Sequence, residues 1–64
     1  MIKIRDFLYI DEIVPNGKKF WRYEGWNTDT NKTLTIFVDT QTKPDKDFDK
    51  IIRERIIFKL GGQK

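Results

Sequence analysis

Sixty-four residues with a formal net charge of +3 and no His, Ser, Cys or Ala leave room for one small domain. They exclude disulfides, thiolate–metal sites and the ordinary nucleophile–base pairs built on Ser, Cys or His. No apolar run approaches the roughly 18 residues of a membrane span, and Met1–Asp6 lacks the apolar core of a signal peptide. A soluble, cytoplasmic chain folding as one domain over 1–64 is therefore expected, basic enough to admit nucleic acid without requiring it.

A domain this small buries only about 60% of its unfolded surface, so its large apolar side chains must carry most of its stability. Nine of them are aromatic. The absence of Ala beside many Ile, Thr and aromatic residues favours strands over helices. An Ile-, Lys- and Asn-rich composition without Ala is also that of AT-rich coding, as in a low-GC bacterium or its phage.

Residues 2–14 alternate imperfectly through Ile2, Ile4, Leu8, Ile10 and Val14, interrupted at Asp6. This predicts a first strand with a bend or bulge at Asp6 and its pairing part near Phe7–Val14. Pro15-Asn16-Gly17-Lys18 is a turn signal, since Pro presets one φ and Gly accepts a left-handed one. Pro15 cannot donate a hydrogen bond, so the hairpin is expected to close at Val14–Lys19. That register sets Ile10 opposite Tyr23, Glu12 opposite Trp21 and Asp11 opposite Arg22. Leu8, Ile10, Val14, Trp21 and Tyr23 then share one face, and Tyr9, Asp11, Ile13, Phe20, Arg22 and Glu24 the other.

The second strand is the aromatic and basic stretch from Lys18 to Trp26. Gly25 within it marks either a bulge or a close approach by another backbone. Without a bulge, Trp26 joins Phe20 and Arg22. Asn27–Lys32 reads as a polar loop, and Thr33–Val38 alternates as a half-buried third strand with Leu34, Ile36 and Val38 inward. Asp39–Pro44 is a loop, after which Asp45 or Asp47 can cap a helix. Phe48, Ile51 and Ile52 give that helix an apolar stripe. Arg55 and Lys59 then break the helical period, while Glu54, Ile56, Phe58 and Leu60 alternate with Arg55, Ile57 and Lys59. The pattern favours a short helix over 46–53 and a fourth strand over 55–60, with a single helix to Leu60 as the alternative.

The expected fold is mainly β (β or α+β): a three- to four-stranded antiparallel sheet or partly open barrel with one short C-terminal helix. Its core should contain Leu8, Ile10, Trp21, Tyr23, Leu34, Ile36, Val38, Phe48 and Ile52.

Little in the sequence points to catalysis. Asp45, Asp47 and Asp49 open like a calcium loop, but Lys50 and Ile56 occupy the positions that need Gly and a bidentate Glu. A looser divalent site would have to recruit Asp39. Asp6, Asp11, Glu12 and Glu24 could act as paired acids only inside a cleft that a domain this small hardly has room for. Neither a cofactor, a metal nor a small-molecule substrate is expected, and neither is enzyme activity. There is no phosphate-binding glycine loop, zinc spacing or RNP1 pattern.

The second sheet face combines flat rings with cations, the chemistry of a stacking platform for single-stranded nucleic acid. Tyr9, Phe20, Arg22, Trp26 and Phe37 would form the platform, with Lys18 and Lys19 engaging phosphates. The alternative is a protein-binding module, such as a phage-type inhibitor or adaptor of a host enzyme. It would use the same rings as hot spots, or an unpaired sheet edge.

Overall fold

The computed structural model describes residues 1–13 and 15–61. Strands β1 (Ile2–Asp11), β2 (Lys18–Asn27) and β3 (Lys32–Val38) precede one helix, α1 (Lys46–Leu60). The strands form an antiparallel meander in the order β1-β2-β3. Three strands are too few to close a barrel, so the sheet is open, with α1 on one face. No helix of the described residues is long and apolar enough to cross a membrane.

The faces follow the expected parity, but the hairpin pairs in another register. Ile10 lies opposite Lys19, Leu8 opposite Trp21 and Phe7 opposite Arg22. The expected closure at Val14–Lys19 is thus replaced by closure at Asp11–Lys18, a register shift of four, and Val14 itself lies outside the described residues. The cause is local. Asp11 Oδ1 accepts from the Ile13 amide at 3.0 Å, turning the chain out of β1 at Asp11. Asn16 and Gly17 then adopt φ values of 76° and 55°, bringing it back at Lys18. An even shift leaves every side chain on its original face. The expected Asp11–Arg22 pair is replaced by Arg5 and Glu24, whose Nε and Oε1 lie 2.8 Å apart.

Pairing also runs through Asp6, opposite Tyr23, without the expected bend, and through Gly25 without a bulge. Gly25 instead marks a close approach. A Cβ there would collide with Ile56 Cγ2 and sit 3.3 Å from Leu60 Cδ1, so the helix rests on the sheet where β2 has no side chain.

The helix continues to Leu60, and the fourth strand expected over 55–60 does not form. Its buried stripe is Ile52, Ile56 and Leu60, spaced by four. Arg55 and Lys59 fall beside this stripe, not on it. Centring the stripe on Phe48 and Ile51 made those charges look incompatible with a helix. The Asp45 carboxylate caps the start by accepting from the Phe48 amide at 2.9 Å, and the Asn27 amide donates to the Leu60 carbonyl at 3.0 Å at the other end.

Tyr23, Ile52, Ile56 and Leu60 are buried, flanked by Ile2, Ile4, Trp21, Leu34, Ile36 and Val38. Three expected core residues are not in the core: Leu8 is 39% exposed, and Ile10 and Phe48 are each 45% exposed. A 15-residue helix is about 22 Å long and a ten-residue strand about 33 Å. Anchored at Gly25 and Asn27, α1 spans about seven strand residues, so Ile10, paired with Lys19, lies beyond its end, Leu8, paired with Trp21, lies at its margin, and Phe48 lies outside its buried stripe.

The contact at Gly25 yields a thermodynamic prediction. Ile56→Ala should cost about 2–5 kcal/mol as a buried aliphatic truncation, and Gly25→Ala about 1–3 kcal/mol by overpacking. In the Ile56→Ala background the new methyl group enters the vacated space, so Gly25→Ala should cost much less there. Additive losses in urea denaturation of the four proteins would refute the contact.

Candidate nucleic-acid interface

The sheet face opposite α1 carries Lys3, Arg5, Phe7 and Tyr9 from β1, the residues from Lys18 to Trp26 at alternate positions of β2, and Thr33, Thr35 and Phe37 from β3. Arg22 lies at its centre, opposite Phe7 on one side and Phe37 on the other. Its guanidinium carbon stands 5.5 Å from the Phe7 ring centre, 5.4 Å from Tyr9 and 5.7 Å from Phe37. A guanidinium is planar and weakly hydrated, so rings can surround it at small desolvation cost, each contact contributing about 0.5–2 kcal/mol. Tyr9 and Phe20 meet Phe37 edge-on at 5.4 and 5.9 Å. The result is a second cluster on the far side of the sheet, built around a cation.

Arg22 Nη2 lies 3.7 Å from Glu24 Oε2. Its Nε is buried and has no hydrogen-bond partner among the described residues. Arg5, which pairs with Glu24, also stands 5.4 Å from the Phe7 ring centre. At the hairpin end, Lys18 Nζ lies 5.2 Å from the Phe20 ring centre.

Of the residues singled out by the sequence, Tyr9, Phe20, Arg22 and Phe37 come together, with Lys18 beside them. Trp26 shares the face but lies four residues beyond Arg22, opposite Lys3 and Thr33. Lys19 belongs to the other face, opposite Ile10. Phe20 and Trp26 are half-buried, less open than a free platform would have them, while Phe37 is 52% exposed. Sequence reasoning missed Phe7, Lys3 and Arg5. Counting by two from Tyr9 finds all three, but the expected bend at Asp6 stopped that count.

The helix side holds a polar network that was not anticipated. Asp6 accepts from Trp21 Nε1 at 3.0 Å, Lys43 Nζ at 2.8 Å and Arg53 Nη2. Asp49 accepts from the Tyr23 hydroxyl and from Arg53 Nε at 3.0 Å. Burial pushes the Asp6 carboxyl up, but the hydrogen bonds from Lys43 and Trp21 and the charges of Lys43 and Arg53 outweigh it, leaving it below the usual carboxylate range. The Tyr23 hydrogen bond leads in lowering Asp49, with Arg53 adding to it against burial. Burial opposes the Arg53 charge, but Asp49 and Asp6 raise its pKa on balance. Burial and the Asp49 carboxylate together push the Tyr23 phenol well up. Each carboxylate meets cations and donors, so the network ties α1 and the segment before it to the sheet.

No protein-family model matches this chain, and no curated protein or solved structure matches it.

The network sets the pH dependence of folding. Asp6 and Asp49 have lowered native pKa values, so their contribution is complete above the unfolded value near 3.8 and is lost as pH falls through the native ones. Tyr23 has a raised value, so its contribution is complete below about pH 10 and declines above it. Asp6→Asn should cost about 1–3 kcal/mol at neutral pH and flatten the acid limb, whereas Tyr23→Phe should flatten the alkaline limb. Denaturant melts from acid to alkaline pH read both, and unchanged limbs would show that the network does not tie the helix down.

Proposed function

We propose that this protein is a small non-enzymatic module that binds single-stranded nucleic acid through the open sheet face. The observation that carries this reading is the cluster of Tyr9, Phe20 and Phe37 around Arg22, on a face that no element of the described residues covers. Every base has a flat π-face, so stacking on such rings tolerates any sequence and contributes about 1–3 kcal/mol per base.

Phe20 and Trp26 are six residues apart on one strand, about 20 Å, a span of several nucleotides. Lys18 beside Phe20 and Lys3 opposite Trp26 supply cations at the two ends of that path. Arg22 plays a different part from that expected of a phosphate contact. Its guanidinium orders the rings, and the rim lysines meet the backbone.

An oligothymidylate at low salt should quench tryptophan fluorescence through Trp26. Lys18→Ala should weaken binding equally for all sequences and flatten the salt dependence by roughly one counterion. Phe37→Ala and Trp26→Ala should each cost about 1–3 kcal/mol with little change in salt slope. Lys19→Ala, altered on the opposite face, should do least. No binding at about 50 mM salt, where phosphate contacts are strong, would overturn this reading. The same rings would then be tested as a hot spot for a host protein.

A further inference from the structure

The open face is not uniform along β2. Across the three strands its residues fall in rows: Lys3, Trp26 and Thr33, then Arg5, Glu24 and Thr35, then Phe7, Arg22 and Phe37. Trp26 and the ring cluster are thus separated by one polar row with a carboxylate at its centre. A carboxylate repels phosphates. On a face that takes up a polyanion it costs affinity unless it meets another part of the ligand.

Glu24 is held in place but keeps accepting capacity. Its Oε1 accepts from Arg5 Nε at 2.8 Å. Its Oε2 stands 3.7 Å from Arg22 Nη2, an ion pair without a hydrogen bond, and accepts none among the described residues. The side chain is 28% exposed, so a ligand on the sheet can reach it. Each carboxylate oxygen has room for two hydrogen bonds, and the Arg5 contact limits how the group can turn. An acceptor fixed in this way reads donors.

We infer that Glu24 is the specificity-determining residue of this face and selects guanine at one position of the bound strand. The inference rests on the single-stranded reading above. Bases of a single strand are read on their Watson–Crick edges. Guanine alone presents two adjacent donors there, N1–H and N2–H, which match the two oxygens of a carboxylate. Cytosine and adenine offer one amino donor beside an acceptor, and thymine one donor between two acceptors, so the second oxygen would face a lone pair. A base stacked on Trp26, two residues along β2 from Glu24, can turn its edge over the polar row. The exposed Thr35, opposite Glu24, carries a hydroxyl that can donate to the neighbouring O6. The rings then supply the part of binding that tolerates any sequence, and Glu24 supplies the preference.

Thymidylate hexamers with one central residue replaced test this by fluorescence titration of the intact chain at low salt. Deoxyguanosine should tighten binding at least roughly five-fold over thymidine, the low end for a two-bond base contact. Deoxyinosine, which lacks the N2 amino group, should lose most of that gain. Deoxyadenosine stacks as a purine but has no N1–H, so it separates stacking from edge reading and should fall well short of deoxyguanosine. Glu24→Gln, checked for folding by circular dichroism, should bring the guanine-to-adenine ratio close to one. Ratios taken within each protein cancel the change in charge, and the base series itself needs no variant. Equal binding of guanine and adenine, or a guanine preference that survives in Glu24→Gln, would overturn the inference and leave the single-stranded reading standing. No binding to any hexamer would overturn both.

Discussion

A missing side chain governs this fold. β2 passes under α1 with nothing projecting at Gly25, where a Cβ would collide with Ile56. That vacancy lets the helix settle close enough for Ile52, Ile56 and Leu60 to seal against Tyr23. The same placement brings the Asn27 amide to the Leu60 carbonyl and Arg53 to Asp6. Helix position, helix end and polar network are therefore consequences of one contact. A larger residue at that position would lift the helix and loosen all three.

The two sheet faces solve the problem of a small core in different ways. The helix side buries a short apolar stripe and adds a charged network at its margin. In the network cations meet both carboxylates, which are the more buried members, and removing those partners would leave them without a counter-charge. Among the described residues the open side has no second layer. Its rings cover one another and enclose the Arg22 guanidinium, shielding apolar surface without a helix. Arg22 holds neighbouring strands together through Phe7 and Phe37, so truncating it would be felt as lost packing as much as lost charge.

Much of this was legible in the sequence, because side-chain parity survives an even error in register. Tyr9, Phe20, Arg22 and Phe37 fell on one face and Trp21 and Tyr23 on the other even though the hairpin register is shifted by four from the expected one. The loop was not legible, since it depends on the Asp11 side chain capturing the Ile13 amide. Asp6 looked like an interruption because its partners are distant in sequence: Lys43 and Arg53 come from the chain's other end. The extent of the helix was obscured for a related reason. Phe48, Ile51, Ile57 and Phe58 all lie outside its buried stripe, and the apolar pattern cannot tell packed residues from exposed ones.

Those exposed residues connect the fold to its proposed uses. A domain of 64 residues has only a few kcal/mol of stability, and leaving Phe37, Phe48, Ile51 and Phe58 largely in water forgoes burial worth roughly 1.5–3 kcal/mol for each such side chain. Phe37 sits with the ring cluster on the open face, whereas Phe48, Ile51 and Phe58 lie on α1 outside its buried stripe, and Leu8 and Ile10 lie on β1. Among the described residues Phe37 is the open ring that packs against others, Tyr9 and Phe20, so the burial forgone there is the part a stacked base would recover.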